Sequence, residues 1–416
     1  MFKPISISLS PNVEPDDIGL VFKLILSCWK WKRGPAIKKL EDEFKKYLDV
    51  KHAFSFNSGR SCLFAILKAL NLPENTEVLL QAFTCNAAVN PILWQGLKPI
   101  FVDCDENSFN IDVEDLKNKK GDVLIVQHTF GLPANMDEVL SIVRQNELIL
   151  IEDCAHALGA EYKNKKVGTF GKAGFFSFSR DKVISSIYGG MVVTNDDVLA
   201  KKLEKLQNEF GYPSYFWIFQ QLLHPILLNF IILPIYNFLD LGKIFLILSQ
   251  WLHILSKAVH KKEKRGGRPN YFPRALPNAL AIIAHHQFSK LNSFHQHRQE
   301  LSKFYYQNLK GTSFDVSDSL LPGISDISHS FLRFTIKHPK AHEIIYNAWQ
   351  NQNILIGDWY TSPIAPADTK LEKMQYKTGS CPTAEKLSKI TFNLPTHINI
   401  SKEDAQRIIN FLEKWK

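Results

Sequence analysis

Lys182 lies in the stretch FFSFSRDKVISSIYGGMVVTND, residues 175–196, between two apolar runs. A lysine amine attacks carbonyl groups when its surroundings favour the neutral form. The residues from Val183 to Thr194 are uncharged, and Asp181 is the only acid beside the lysine. This pattern indicates either a chemically active amine at the end of a strand or an ordinary lysine in a surface loop.

A second candidate is NSGRS, residues 57–61, which follows an apolar run and precedes an apolar helical pattern. Gly59 permits a tight turn, and the free N–H groups at a helix start favour an anion. Arg60 and Ser61 would add a positive charge and a hydroxyl group. The stretch is therefore a phosphate-binding turn or a simple helix cap.

A third candidate is Asp153, which ends the apolar run at 148–153 and precedes Cys154, Ala155 and His156. An unpaired carboxylate at the end of a buried strand costs several kcal/mol, so Asp153 needs a partner. A protonated ring nitrogen or an ordinary salt bridge would supply one.

Together the three candidates meet the requirements of pyridoxal 5'-phosphate. The turn at Gly59 would hold the phosphate, and Asp153 would keep the pyridine nitrogen protonated. Lys182 would form a Schiff base with the aldehyde.

The elements that must position these residues alternate along the first half of the chain. Helical patterns lie at 36–48, 61–70 and 137–146, and apolar runs lie at 52–56, 77–83, 98–104, 122–128, 148–153, 174–179 and 190–195. This alternation predicts an α/β domain with a largely parallel sheet. Ligands bind such sheets at the carboxyl ends of the strands, which is where all three candidates fall.

Five stretches, in order along the chain, resemble the DegT/StrS-type sugar aminotransferases. They are NSGRSCLFAILKAL, LKPIFVDCDENSFNIDVEDL, QHTFGLPANMD, IEDCAHALGAEYKNKKVGTFGKAGFFSFSRDK and GGMVVTND. The family consists of pyridoxal-phosphate enzymes of the aspartate aminotransferase fold (fold type I). The resemblance implies a large domain with a mostly parallel central sheet, a smaller C-terminal α+β domain, and a homodimer with active sites at the subunit interface.

The resemblance also assigns roles to matching residues. It makes Lys182 the Schiff-base lysine and Asp153 the partner of the ring nitrogen. His156 would face the phenolic oxygen of the cofactor, and Ala155 would pack on the ring. The remaining positions implied to bind the phosphate are Gly59, Arg60 and Ser177.

Three positions depart from the family pattern. Cys85 stands where the family places a stacking aromatic residue, so the thiol or the neighbouring Phe83 would cover the ring. Arg60 replaces a small hydroxyl residue, and a guanidinium pairs well with phosphate. Arg274 is kept from a motif that reaches the partner's phosphate in the family, but the matching Asn is missing, with Asn270 nearby.

Four residues are candidates for contacts with the substrate. His329 and Tyr360 face the cleft by the resemblance, with core or dimer packing as the alternative. Lys30 and Arg33, in WKWKRGP, could bind a diphosphate, and an exposed helix end is the alternative there.

The activity implied by the resemblance is transfer of an amino group from glutamate or glutamine to a keto-sugar. The sugar would be nucleotide- or lipid-linked and would serve cell-surface polysaccharide or related glycan synthesis. One alternative is a pyridoxal-phosphate sugar dehydratase of the same fold. Lys182 disfavours it, because the dehydratases resembling this family carry His there. The other is a non-catalytic, membrane-associated assembly or regulatory protein.

An insertion interrupts the resemblance and divides the chain into three parts. These are a large domain at 1–208, the insertion at 209–268, and a long helix with the small domain at 269–416. Residues 211–239 contain no Asp, Glu, Lys or Arg, a second apolar run covers 244–255, and a basic patch covers 257–268.

The insertion has two possible partners. Pro225 and Pro234 disfavour one straight spanning helix. We expect a broken apolar hairpin that lies on a membrane surface, rimmed by Trp217, Tyr236 and Trp251. A hydrophobic arm packed on the partner subunit is the alternative.

Charge and cysteine spacing bear on three further questions: nucleic-acid binding, metal binding and the location of the protein. The net charge of +9 over 416 residues is concentrated in the basic patch, so it gives no general case for binding nucleic acid. The six cysteines form no C-x-x-C pair and no zinc-type spacing, so we expect no metal site. Reduced thiols and an N-terminus without a signal-peptide pattern predict a cytoplasmic protein, peripheral at the inner membrane face if the insertion docks there.

Overall fold

A computed structural model describes residues 4–8, 10–236, 238, 240–317 and 326–415. The strands within these residues are β1 Ile5–Ser6, β2 His52–Phe56, β3 Glu77–Gln81, β4 Thr84–Cys85, β5 Lys98–Val102, β6 Val123–Gln127, β7 Ile149–Asp153, β8 Glu161–Tyr162, β9 Lys165–Lys166, β10 Ala173–Ser177, β11 Gly190–Thr194, β12 Ile327–Ser328, β13 Phe334–Lys337, β14 Ile354–Leu355, β15 Ile364–Ala365 and β16 Thr391–Leu394. The α-helices are α1 Pro15–Ile25, α2 Ala36–Leu48, α3 Gly59–Leu70, α4 Asn86–Trp94, α5 Val113–Lys117, α6 Met136–Gln145, α7 Asp197–Phe210, α8 Tyr215–Leu227, α9 Leu241–Trp251, α10 Asn278–Ser289, α11 Leu291–Leu309, α12 Ala341–Gln352, α13 Pro382–Ile390 and α14 Lys402–Leu412.

A seven-stranded sheet in the order β2-β11-β10-β7-β6-β3-β5 forms the centre of the large domain. Every neighbouring pair is parallel except the two pairs made by β11, which runs antiparallel to both β10 and β2. Strands β2, β3, β6, β7 and β10 therefore point their carboxyl ends to one edge. This sheet confirms the predicted α/β fold.

Helices cover both faces of the sheet because its central strands are apolar on both sides. All five residues of β6 are buried, as expected for a strand inside a parallel sheet. Helices α3 and α4 contribute to a core with one face of the sheet, and α2 and α10 contribute to a core with the other face. The carboxyl edge is left open between these layers.

The small domain is built around the antiparallel pair β13–β16 and helices α11, α12 and α14. The small domain is not one continuous segment of the sequence. Strand β1 pairs with β14, and Ile5 lies in the small-domain core, although the expected boundary placed it in the large domain. Helix α10 packs on α2 of the large domain, and the long helix predicted in the 269–416 part is two helices that meet at Lys290.

The insertion folds as α8, a π-helical turn at Leu228–Ile232, and α9. The helical segment Tyr215–Ile232, 18 residues with a mean hydropathy of 1.3, is long and apolar enough to cross a membrane, and half of it is buried inside the protein. Trp217 was expected at the rim, but it is buried against Tyr188, with ring centroids 5.4 Å apart. Trp251 is exposed as expected.

Candidate active site

A cavity opens at the carboxyl edge of the central sheet, where the sequence places its reactive residues. Its walls come from the ends of β2, β4, β6, β7 and β10, and from loops of the insertion and the small domain. The lining residues include Ser58, Gly59, Arg60, Thr84, Cys85, Gln127, Asp153, Ala155, His156, Ser177, Ser179, Arg180, Asp181, Lys182, Tyr188, Ala258, Val259, Trp359 and Tyr360. Nine of the thirteen predicted site residues are in this set: Gly59, Arg60, Cys85, Asp153, Ala155, His156, Ser177, Lys182 and Tyr360.

Lys182 lies in the connection between β10 and β11. Its backbone is fixed by Asn12, whose Nδ2 donates to the Lys182 carbonyl oxygen at 2.6 Å. Its Nζ lies 4.8 Å from the centroid of the Trp359 ring. Burial lowers the pKa of Lys182 to about 8, against opposing effects of nearby acids that include Asp153. A substantial fraction of this amine is therefore neutral near physiological pH.

Asp153 and Glu152 end β7 and face opposite ways, because side chains alternate along a strand. Glu152 accepts hydrogen bonds from the backbone N–H groups of Gly168 at 2.7 Å and Gly171 at 2.8 Å, which is a structural role. Asp153 lines the cavity and accepts from the Ala155 N–H at 2.9 Å. Burial raises the pKa of Asp153, so its anion needs a cationic partner in the cavity.

His156 presents a defined tautomer to the cavity. Its Nδ1 accepts a hydrogen bond from the Phe130 N–H at 3.2 Å, so Nε2 carries the proton of the neutral ring. Burial, together with the charge of Lys182, keeps the pKa of His156 well below its ordinary value. The Nε2 atom lies 3.4 Å from the Tyr360 hydroxyl. The ring is thus a neutral hydrogen-bond donor towards the cavity.

The turn at Gly59 packs closely on β10 and β11, which leaves little room for side chains there. A Cβ at Gly59 would lie 3.1 Å from the Cβ of Ser177, and a Cβ at Gly190 would lie 2.9 Å from the Gly59 nitrogen. Ser58 caps α3 by accepting from the Ser61 N–H at 3.1 Å. The first N–H groups of α3 therefore converge with the Ser177 hydroxyl on a small concave cradle.

Two arginines lie beside this cradle. Arg60 forms a buried ion pair with Glu263 of the insertion and donates to the Ala258 carbonyl at 2.7 Å. Its guanidinium is therefore already neutralised. Arg180 was not singled out from the sequence, although it lies two residues before Lys182. It is buried, donates to Ser256 Oγ at 2.6 Å, and its Nε has no hydrogen-bond partner among the described residues.

Comparison with known proteins decides the family. Residues 13–216 and 262–413 match the DegT/DnrJ/EryC1/StrS aminotransferase family. The chain belongs to this family. Its members are pyridoxal-phosphate-dependent sugar aminotransferases, which confirms the predicted enzyme class and cofactor. The unmatched residues between the two segments fall within the insertion.

The relatives of this DegT/DnrJ/EryC1/StrS aminotransferase align with different fractions of its length. An uncharacterised protein of Methanocaldococcus jannaschii is 29% identical over 412 residues, 97% of this chain and 96% of that protein. GDP-perosamine synthase of Vibrio cholerae is 36% identical over 206 residues, 48% of this chain and only 56% of the synthase.

Among solved structures, Helicobacter pylori PseC, an aminotransferase involved in the biosynthesis of pseudoaminic acid, superposes with a TM-score of 0.76. It is 22% identical, with 99% of each chain covered. At this identity the likeness establishes the fold, and it confirms fold type I.

Pyridoxal phosphate fits the donor set of this aminotransferase. The glycine cradle and Ser177 would hold its phosphate, beside Arg180, which lines the same cavity and whose Nε has no hydrogen-bond partner among the described residues. Asp153 would face the ring nitrogen, and Lys182 would reach the aldehyde. These groups are of the types that the cofactor requires, and they line one cavity.

Four predicted site residues do not line the cavity. Ser61 turns inward and donates to Asn57 Oδ1 at 2.7 Å, so it supports the helix cap. Lys30 and Arg33 lie beyond α1, where Arg33 lines a separate surface groove. The His329 ring stacks on Phe331 with centroids 3.9 Å apart and lines another cavity.

The residues that cover the cofactor position also differ from expectation. Phe83 is fully buried and packs edge-on against Tyr360, so it is not part of the cavity wall, whereas Cys85 is. Trp359 was not predicted as a wall residue, and its ring stacks on His156 with centroids 5.3 Å apart. Arg274 donates to the Phe210 carbonyl at 3.0 Å within its own subunit.

A larger cavity, about 940 Å³, is lined by His329 and several acids, including Asp105, Glu138 and Asp326. Neither Lys182 nor any other lysine is among the described residues that line it. The size of a cavity therefore does not identify the active site, and the residues predicted to be reactive line the smaller cavity.

Proposed function

We propose that this aminotransferase moves an amino group from glutamate or glutamine to a keto-sugar carried on a nucleotide or a lipid. The product would enter cell-surface polysaccharide or related glycan synthesis. The observation that carries the proposal is the convergence of Lys182, Asp153 and the Gly59 cradle on one cavity, although they are far apart in the sequence.

Bound pyridoxal phosphate supplies an aldehyde that accepts amines and a ring that withdraws electrons from the adjacent carbon. Lys182 would hold the cofactor through its amine until the donor's amine replaces it. The freed Nζ would then take the proton from the donor α-carbon and return it to the neighbouring cofactor carbon. The lowered pKa of Lys182 supports this role, because a base must be neutral before it accepts a proton.

Asp153 and His156 would act on opposite sides of the ring. Asp153 would hold a proton at the ring nitrogen, which also gives the buried carboxylate its cationic partner. The protonated Nε2 of His156 would donate to the phenolic oxygen, since its Nδ1 is occupied by the Phe130 N–H. The role of His156 uses the neutral state that its surroundings already favour, whereas the ring cation would stabilise the Asp153 anion that burial disfavours.

The proposed substrates and assembly rest on family membership. One relative is named for the synthesis of GDP-perosamine, and PseC is described as an aminotransferase of pseudoaminic acid biosynthesis, which supports a keto-sugar acceptor here. A homodimer is proposed from the family resemblance, with the cavity near the subunit interface. Among the predicted substrate residues, Tyr360 remains the candidate inside the cavity.

The test is a half-reaction without acceptor. Glutamate or glutamine alone should release one equivalent of the corresponding keto acid per active site, because the cofactor keeps the amino group. Addition of a keto-sugar should then restore the starting cofactor absorbance and yield the amino sugar. Elimination of water from the sugar would favour the dehydratase, and no reaction with any donor would favour a non-catalytic protein.

A panel of donors and nucleotide-linked acceptors, read by mass spectrometry, would identify the substrates.

A further inference from the structure

Helix α9 presents most of its large apolar residues to solvent, although Phe245 and Leu246 are partly buried. A surface helix of a globular protein normally turns its apolar stripe inward. In α9 the buried positions include the small residues Gly242 and Ser249, and Gly242 permits close approach to the π-helical turn. The solvent-facing stripe, at spacings of three and four residues, is Leu241, Ile244, Leu248 and Trp251. This orientation indicates that α9 has a partner outside the folded chain.

The apolar stripe continues onto α8 and the end of α1. The rings of Phe22 and Phe230 lie 6.3 Å apart, and Phe216 shares a groove with Trp251. Leu26 and Trp29, just after α1, are 78% and 72% exposed. We call the exposed apolar side chains of residues 22–29, 215–231 and 241–254 the apolar face.

The apolar face holds nearly all the exposed large hydrophobic side chains of the described residues. Outside the apolar face, such side chains are Val198, Phe238 and Tyr346. Single exposed hydrophobic residues are common, whereas a contiguous patch marks an interaction surface. The concentration on one face therefore calls for a specific partner.

Basic residues border the apolar face on two sides. One groove combines Trp29 and Tyr215 with Lys32 and Arg33, and Lys32 Nζ lies 4.4 Å from the Tyr215 ring centroid. The groove beside Trp251 contains two further lysines, and neither groove has an acid among its described lining residues.

The acidic content of the surrounding sequence is also low. Residues 18–35 contain no Asp or Glu, and 211–262 contain only Asp240, which pairs with Lys243 at 2.6 Å.

We propose that the apolar face docks this protein onto the surface of a membrane that contains anionic lipid. Aromatic side chains would enter the headgroup region while the flanking lysines contact anionic headgroups. A two-fold contact with a second copy would instead bring matching basic grooves near each other, which is unfavourable.

Docking in the membrane plane fits the structure better than crossing. The helical segment Tyr215–Ile232 buries half of its residues, including Gln221 and His224. Gln221 Oε1 accepts from Ser256 Oγ at 2.8 Å, so a spanning helix would have to leave polar partners as well as the core. The outer side of the segment remains available to lipid.

The docked segment is continuous with the wall of the active-site cavity. After α9 the chain passes Ser256, which accepts from Arg180, and Ala258, which lines the cavity. It then reaches Glu263, the partner of Arg60. Docking would therefore hold the cavity close to the lipid surface. The proposal concerns location and does not depend on which acceptor is used.

The test is flotation of the full-length protein with vesicles of phosphatidylcholine alone or mixed with about one third phosphatidylglycerol. Wild-type protein should float with the mixed vesicles. The triple variant Leu26→Ser, Trp29→Ser, Trp251→Ser should bind them about 100-fold more weakly, because each side chain is largely exposed before docking. The variant Lys257→Gln, Lys261→Gln should bind about 30-fold more weakly.

The matched control is Val198→Ser, Tyr346→Ser, which removes side chains of similar exposure, 68% and 65%, from other surfaces. It should float like wild type, and circular dichroism should show that all variants are folded. Wild-type protein that remains unbound would overturn the proposal. The proposal would also be overturned if the control and the triple variant lost vesicle binding to the same extent. Dissociation of an oligomer by the triple variant, without any lipid binding by wild type, would assign the face to a second copy instead.

Discussion

Lys182 combines an ordinary side chain with an unusual environment. Burial in a cavity lined by Trp359 and Asp153 brings its pKa down to about 8 from 10.5. The sequence identifies this lysine through its position after a strand. It does not reveal Arg180, whose importance depends on a contact with Ser256, 76 residues further along the chain.

The pH dependence of cofactor loading tests the environment of Lys182. Only the neutral amine attacks the aldehyde, so the rate at which apoenzyme takes up pyridoxal phosphate should rise with pH through a midpoint near 8. The carboxylate of Asp153 raises the pKa of the lysine, so the midpoint should be lower in Asp153→Asn. Stopped-flow absorbance would measure both, and a wild-type midpoint at the ordinary lysine value would contradict this account.

Asp153→Asn should also affect turnover. The amide cannot hold a positive charge at the ring nitrogen, so kcat should fall about 100-fold or more while KM changes little. Steady-state kinetics on variant protein shown by absorbance to carry full cofactor would measure this. A change confined to KM would show that Asp153 only contributes to binding.

At the scale of elements, the sequence predicts the sheet well and the insertion poorly. Each of the seven predicted strands appears within two residues of its expected bounds, because buried parallel strands are short apolar runs between polar turns. In the insertion almost every residue is apolar, so composition does not show which side packs inward. Trp217 was therefore expected at the rim and lies in the core instead.

The ion pair between Arg60 and Glu263 is the second element-scale feature that the sequence conceals, since 203 residues separate its partners. Glu263 is fully buried, and Arg60 is nearly so. Glu263→Gln leaves a buried guanidinium without its counter-charge, so the free energy of unfolding should decrease by about 3 kcal/mol.

Urea denaturation of the Glu263→Gln variant would measure this loss. The control is Glu106→Gln, which removes one partner of the exposed pair with Lys386 and should cost less than about 1 kcal/mol. Equal effects of the two substitutions would mean that Glu263 does not anchor the end of the insertion.

At the scale of the whole molecule, two surfaces need partners, and we propose a different partner for each. In the proposed homodimer a second copy of the chain lies near the cavity, and we propose lipid as the partner of the apolar face. Light scattering should therefore give twice the chain mass of 47.6 kDa for wild type. The triple variant of the apolar face should have the same mass. A fully active monomer would contradict the proposed dimer.

The central claim is that Lys182 is the residue that holds pyridoxal phosphate in this aminotransferase. Borohydride reduction of the loaded enzyme should fix the cofactor covalently to its lysine, and proteolysis with mass spectrometry should locate it. The account predicts one modified peptide containing Lys182, and none in Lys182→Ala. Cofactor attached to a different lysine, or an active enzyme without any attached cofactor, would contradict it.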